Sequence, residues 1–178
     1  MKTKWKWMGV MVLGIGMVSG RAAANPVDGT ITVTPVGNVV LTLAPTTYAF
    51  GDVDVAISTV ALSSITLTNG GTVNVTVDKR IQTESAPAGW TAGTAAAGDT
   101  YVLYVSTSLT PPDPTEFTAG DHRFGAEANV TPLDGLGGST PTIATSNSVD
   151  LWFKLDMPTS VAAQTARTIT VRFTGTPQ

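Results

Sequence analysis

The chain has 178 residues, with 10 Lys and Arg against 13 Asp and Glu, and a formal net charge of −3 at pH 7. It contains no Cys and a single His, which excludes disulfides, thiol chemistry and a zinc site built on Cys or paired His ligands. Its sparse, net acidic charge argues against a nucleic-acid partner, because phosphate binding needs clustered Lys and Arg.

The first residues have the pattern of an export signal. Lys2, Lys4 and Lys6 precede an apolar run, and the small residues 22–24 follow it. The run is shorter than the roughly 20 apolar residues that a membrane-spanning helix needs, so an uncleaved anchor is the weaker alternative. We expect a signal peptide at 1–24 and a secreted product, whether extracellular, on the cell surface or periplasmic, with no transmembrane anchor. Without the leader, six basic residues remain against 13 acids.

Residues 25–178 are predicted to form a single domain of short strands. Thr and Val are abundant, both are β-branched, and Gly and Pro interrupt the sequence at short intervals. This composition predicts an all-β fold, an immunoglobulin-like antiparallel β-sandwich of about eight or nine strands. The alternation of apolar and polar residues places strands at 30–34, 39–43, 60–68, 73–77, 100–107, 122–130, 149–155 and 168–173.

Two segments carry the clearest patterns. The stretch 66–77, TLTNGGTVNVTV, predicts a β-hairpin whose turn is formed by Asn69, Gly70 and Gly71, since these residue types tolerate positive φ. The stretch 100–107 is apolar on both faces, which predicts a central strand.

In the region from Leu41 to Val77, a Phe-Gly-x-Val element is followed by a polar loop, a strand that ends in Asn-x-Gly and a valine-rich strand. This region resembles the opening of immunoglobulin-like domains of the ASPM–SPD-2–Hydin type. The Asn-Gly-Gly element is also similar to that of the camelysin and TasA group of exported matrix-fibre subunits. Both resemblances imply a sandwich with a structural or binding role and no catalytic residues. The residues that carry the resemblance are Phe50, Gly51, Val53, Leu67, Asn69, Gly71, Val73 and Val75.

His122 is the only histidine, so it is the only candidate for the general base of a serine triad. Asp121 and Arg123 flank it, but no Gly-x-Ser-x-Gly motif supplies a nucleophile. We expect His122 to lie at the surface or at a strand edge, and we expect no enzyme activity and no cofactor.

Two groups of acidic residues are candidates for calcium binding. Asp52 and Asp54 would point the same way on an extended chain. Asp113, Glu116 and Asp121 lie in one predicted loop. Neither group has the dense spacing of a calcium loop, so the favoured interpretation is that they are solvated loop acids, with calcium ligation as the alternative.

Aromatic and apolar residues suggest partner contacts. The alternation in 149–155 turns Trp152 outward, where it either covers the core beneath a loop or contacts a partner. Trp90 is a second aromatic candidate, and Ile31 and Val33 lie on one face of the first predicted strand. An open sheet edge in another molecule would accept such a strand.

The sequence therefore favours a non-catalytic secreted structural protein of the cell surface or an extracellular assembly. The most specific version of this hypothesis is a subunit that forms fibres or filaments. Its partners would be copies of itself or other surface proteins. The alternative is an adhesion module that binds carbohydrate or protein through Trp90 and Trp152.

Overall fold

A computed structural model of the chain describes residues 32–84, 89–125 and 129–178. These residues form one short 3-10 helix, Pro114–Glu116, and none of their helical structure is long and apolar enough to cross a membrane. They also form nine strands: β1 (Leu41–Ala44), β2 (Ser58–Val60), β3 (Ile65–Asn69), β4 (Val75–Glu84), β5 (Thr91–Ala92), β6 (Thr100–Thr107), β7 (Thr131–Pro132), β8 (Ser148–Asp156) and β9 (Ile169–Pro177).

The chain divides into two compact units, residues 1–34 and 35–178. All nine strands belong to the second unit. Of the first unit the structure describes only residues 32–34, which form no strand, and there the Val33 side chain is 78% exposed. The strand predicted at 30–34 is therefore absent from its described part, and Ile31 lies outside the described residues.

The strands form two sheets that pack face to face. The large sheet has the order β1-β3-β8-β6-β5, with β2 lying on β8, and the small sheet has the order β7-β4-β9. Every pairing is antiparallel except the two-residue contact between β5 and β6, which is parallel. The all-β class and the sandwich predicted from the sequence are confirmed.

One core fills the space between the sheets. It is built from alternate residues of β3, β4, β6 and β8, and most of its members are fully buried because each strand turns every second side chain inward. Its largest buried apolar side chains are Leu67, Val75, Val77, Ile81, Tyr101, Phe124, Leu133, Ile143 and Leu151.

The strand predicted at 100–107 is confirmed as β6, and both of its faces are buried. Tyr101, Leu103 and Val105 belong to the core. On the opposite face, Val102 and Tyr104 join a second, smaller apolar cluster with residues of β8 and of the loop that follows β6. Burial on both sides explains why this stretch is apolar without alternation.

Other predicted strands differ from those observed. The single strand predicted at 60–68 is two strands, β2 and β3, which lie end to end along one edge of β8. The strand predicted at 122–130 is wrong in its described part, where Arg123 makes only an isolated bridge to Tyr104.

The predicted hairpin at 66–77 is also wrong. Its first half is β3, which pairs with β1 and β8 in the large sheet, and its second half begins β4, which pairs with β7 and β9 in the small sheet. The Asn-Gly-Gly segment therefore carries the chain across the sandwich instead of folding it back on itself. Both halves alternate because each lines the same core, Leu67 from one sheet and Val75 and Val77 from the other.

The crossing is held by the buried side chain of Asn69. Its Nδ2 donates to the backbone oxygens of Val73, at 2.8 Å, and Ile143, at 3.0 Å. Its Oδ1 accepts from the backbone N–H of Gly71 at 3.0 Å. Three backbone groups at the corner of the sandwich are thus satisfied by one amide, which supplies the bonds that a sheet ladder supplies elsewhere.

Glycine is needed at this corner for a close approach. Neither Gly70 nor Gly71 has a positive φ. A Cβ at Gly71 would collide with the backbone oxygen of Asn38 and lie 3.1 Å from Asn69 Oδ1. The segment before β1 therefore packs directly on the crossing, and only a residue without a side chain fits between them.

We predict that Asn69→Ala lowers the free energy of unfolding by about 3 kcal/mol, because Gly71 N and Val73 O lose their bonds to the amide and Ile143 O keeps only its bond from Val75 N. Thr68→Ala is the matched control, since the hydroxyl of Thr68 bonds only the exposed Ser148 Oγ, and we expect it to cost less than about 1 kcal/mol. Chemical denaturation of both variants measures the difference. Equal losses would show that the amide does not hold the corner.

Candidate functional site

Lys79 is a buried cation on the core-facing side of β4. Its side chain is fully buried, and it follows Val77 and precedes Ile81 on the inward face of the strand. Its Nζ donates to the backbone oxygens of Asp121, at 2.9 Å, and Pro132. The lysine therefore fastens the loop after β6 and the end of β7 to the middle of the small sheet.

The surroundings of Lys79 lower its pKa to about 8, from an ordinary value of 10.5. Burial is the main cause, because the charged ammonium loses hydration. The charges of Asp134, Asp121 and Asp78 oppose this shift without cancelling it. Sequence analysis did not single out Lys79, although the alternation of β4 places it two residues beyond Val77 on the inward face.

His122 is buried beside this lysine-anchored loop, with only 1% of its surface exposed. The expectation that it lies at the surface or at a strand edge is wrong. Its Nδ1 accepts from the backbone N–H of Thr118 at 2.9 Å, which leaves Nε2 to donate to the backbone oxygen of Gly135, also at 2.9 Å. Both ring nitrogens are engaged in closing the loop.

The loops after β6 and β7 are tied to the sheets at several further points. The backbone of His122 accepts from Val105 N, and Phe124 N donates to Leu103 O, each at 2.9 Å. Asp134, which is 7% exposed, accepts a 2.6 Å hydrogen bond from the Thr140 hydroxyl. We call Lys79, His122 and Asp134 the polar cluster. Its hydrogen bonds hold the loops on one side of the sandwich.

The candidate calcium ligands are either exposed at the surface or hydrogen-bonded to other groups of the protein. Asp52 and Asp54 are exposed. Asp113 and Glu116 cap the 3-10 helix, and the hydroxyl and the N–H of Thr115 lower the pKa of Asp113. Asp121 accepts from Thr118 Oγ1. In the described ranges no group of three or more His, Asp or Glu side chains is arranged to hold a metal ion.

The two tryptophans are packed against the protein. Trp152 faces away from the main core as expected, but it is only 7% exposed, and its Nε1 donates to the backbone oxygen of Ser108 at 3.0 Å. It covers the large sheet beneath a loop. Trp90 is half-buried, with its ring 6.1 Å from that of Tyr101 and the Arg167 guanidinium 5.6 Å above it.

The opposite side of the sandwich has an open sheet edge. Strand β9 pairs along its length with β4, and among the described residues its other edge has no neighbour. Its inward side chains Ile169, Val171 and Phe173 pack against the core but are only half-buried. Alternate N–H and C=O groups of a nine-residue strand are therefore available for pairing.

Strand β1 faces this edge from the other sheet. Val39, Leu41 and Leu43 turn inward and are also half-buried against the core. Near the end of β9, a Cβ at Gly175 would lie 2.8 Å from Val39 Cγ1, so the two sheets touch there. We call the two half-buried apolar rows and the free edge of β9 the open seam.

Comparison with protein-family models, with curated proteins and with solved structures found no match. The resemblance to ASPM–SPD-2–Hydin-type domains and to the TasA group therefore stays a prediction. The site is defined by the chain's own geometry, which provides a closed polar cluster on one side and the open seam on the other.

We predict that the free energy of unfolding rises with pH from about 8 towards 10. The unfolded chain holds the Lys79 proton up to its ordinary pKa of 10.5 while the folded chain releases it near 8, so raising the pH favours the fold. The rise should approach about 2–3 kcal/mol. Chemical denaturation at several pH values measures it.

The Lys79→Met variant is the control, because it keeps the length of the side chain without the titrating group. Its stability should change little over the same pH window. A rise of equal size in this variant would assign the effect to another group.

Proposed function

We propose that this chain is a non-catalytic secreted structural protein of the cell surface or an extracellular assembly, whose copies associate through the open seam. The observation that carries the proposal is the free edge of β9, a nine-residue strand that has neighbours on one side only among the residues that the structure describes. An open edge of this length is a template for pairing with another chain.

The chemistry of β9 supports association. Proteins that stay monomeric guard such edges with charged side chains, bulges or short strands. Along β9 the only charged side chain is Arg172, and the other outward residues up to Thr176 are the threonines Thr170, Thr174 and Thr176. Proline, which also guards edges, occurs only at the last residue, Pro177. The bulge in this pair lies on β4, between Ile81 and Thr83, so the free edge of β9 runs unbroken.

The apolar rows of the open seam add a second argument. Each of the six side chains that line it already contacts the core yet keeps part of its surface exposed. Covering apolar surface contributes about 25 cal/mol per Å². An added strand would complete their burial and satisfy the edge of β9 at the same time.

The polar cluster supports a structural role as well. A buried lysine and a buried histidine are candidates for catalysis when they face a cleft. Here Lys79 Nζ and both nitrogens of His122 bond to backbone groups of the loops that they hold. These hydrogen bonds stabilise the loops, and a stabilising role fits a structural protein better than a catalytic one.

The adhesion alternative has less support. Of its two aromatic contacts, Trp152 is buried beneath a loop and Trp90 is packed against Tyr101 and Arg167. Binding of the protein to insoluble polysaccharides, with unchanged solution size, would favour that alternative.

We predict that the exported protein sediments as species larger than a monomer, and that the double variant Thr170→Lys/Thr174→Lys weakens this association by about tenfold or more. Both threonines are exposed on β9, so lysine there keeps the fold and guards the edge. Sedimentation velocity over a concentration series, with negative-stain electron microscopy, measures the effect.

Ser63→Lys adds charge at an exposed residue of the loop before β3 and serves as the control. It should leave association unchanged. A monodisperse monomer at every concentration, with no fibres or layers on native cells, would contradict the proposed function.

A further inference from the structure

We propose that the outer face of the small sheet binds a tetrahedral oxyanion, of the sulfate or phosphate class, between Arg80 and Arg172. The outer face consists of the side chains of β4 and β9 that point away from the core, which include these two arginines and Thr174. This site goes beyond the proposed function, because its side chains do not belong to the open seam.

The two arginines stand side by side on neighbouring strands. Arg80 of β4 and Arg172 of β9 are direct partners in the antiparallel register. Both point outward because their neighbours in sequence point inward, with Ile81 buried and Val171 and Phe173 packed against the core. Directly opposed side chains of such a pair share one face, with Cβ atoms about 5 Å apart. The register therefore places two positive charges next to each other.

The charges of the two arginines are not balanced by carboxylates of the protein. Like charges directly opposite each other destabilise a sheet. Within the ranges that the structure describes, the one ion pair joins Lys154 to Asp156, so neither arginine is paired. Asp78 lies two residues before Arg80 on the same face but does not come within ion-pair distance of it. The face keeps a net positive charge in a chain whose net charge is −3.

The side chain of Arg80 also lacks compensation from within the protein. Arg80 is half-buried, and its Nε is enclosed without a hydrogen-bond partner among the described residues. Burying part of a cation without an acceptor costs free energy, and an anion held by its remaining N–H groups offsets part of that cost. Arg172 is exposed, so its guanidinium can turn towards the same anion.

The pairing of two guanidinium groups favours a tetrahedral dianion. Each guanidinium binds an oxyanion through two parallel N–H···O bonds. The two oxygens of a carboxylate satisfy one arginine, whereas a sulfate or phosphate group has oxygens for both and a charge that balances theirs. Two arginines are too few for a nucleic acid, which needs clustered cations. The ligand is therefore a free ion of this class, or the same group carried as an ester on a polymer.

The test uses sodium sulfate as the probe and NMR of the arginine Nε–H signals as the readout, with protein from the exported fraction of cells that express the full chain. We expect the signals of Arg80 and Arg172 to shift with one dissociation constant of about 1–10 mM, since a single ion contacts both guanidinium groups. Sodium chloride at equal ionic strength is the parallel titration, because it reports screening alone.

Two substitutions at Arg172 separate charge from geometry. Arg172→Gln should weaken sulfate binding at Arg80 by about tenfold or more, because one of two charged forks is lost. Arg172→Lys should weaken it less, because lysine keeps the charge without the fork. Arg123→Gln is the matched control and should leave the affinity unchanged, since Arg123 bridges to β6 of the large sheet and donates to the backbone oxygen of Thr94.

Arg172→Glu tests the charge argument without a ligand. A carboxylate directly opposite Arg80 replaces repulsion with a cross-strand ion pair. We therefore expect the melting temperature to rise by about 2 °C and sulfate binding to be lost. A lowered melting temperature in this variant would show that the two arginines do not repel each other.

Dextran sulfate, with neutral dextran as its control, distinguishes the two sources of the anion. Tighter binding of dextran sulfate than of free sulfate, at equal sulfate concentration, assigns the site to esters on a polymer, and equal binding assigns it to the free ion. Equal shifts in chloride and sulfate, or an unchanged affinity in Arg172→Gln, would overturn the site. These outcomes are independent of association through the open seam, which sedimentation measures.

Discussion

The architecture depends on the corner at Asn69, where the chain leaves one sheet and enters the other. A crossing of this kind interrupts two backbone ladders inside an apolar core, and unpaired backbone groups there are costly. The amide of Asn69 resolves this by bonding Gly71, Val73 and Ile143 together. Since Ile143 also exchanges two backbone hydrogen bonds with Val75, the corner fixes a distant loop as well as the start of β4.

The two sides of the sandwich are built differently. On the side of the loops after β6 and β7, Lys79 and His122 hold backbone carbonyls over the core, and Phe124 and Leu133 are buried beneath them. On the side of β1 and β9 no described loop performs this task, and the apolar rows stay half-exposed. Burying the charged ammonium of Lys79 costs free energy because it loses hydration, and the lowered pKa of Lys79 reflects this cost.

Several features follow from short-range pattern alone. The strand at 100–107 is predicted because both of its faces are apolar, and the inward set Leu151, Phe153 and Leu155 is predicted by period two. The outward direction of Trp152 follows from the same period. Its burial does not, because the covering loop bonds it through Ser108, more than forty residues earlier in the chain.

The sequence by itself determined the all-β class and the inward face of the main strands, because the alternation of apolar and polar residues is a local property. Only the tertiary structure decided that β3 and β4 belong to different sheets, that His122 is buried and that one edge of β9 has no neighbour among the described residues. Alternating residues look the same whether a strand turns back on its neighbour or crosses to the facing sheet, since both arrangements bury one face. The choice depends on partners far away in sequence, such as Ile143 for Asn69 and Gly135 for His122, and no local pattern encodes them.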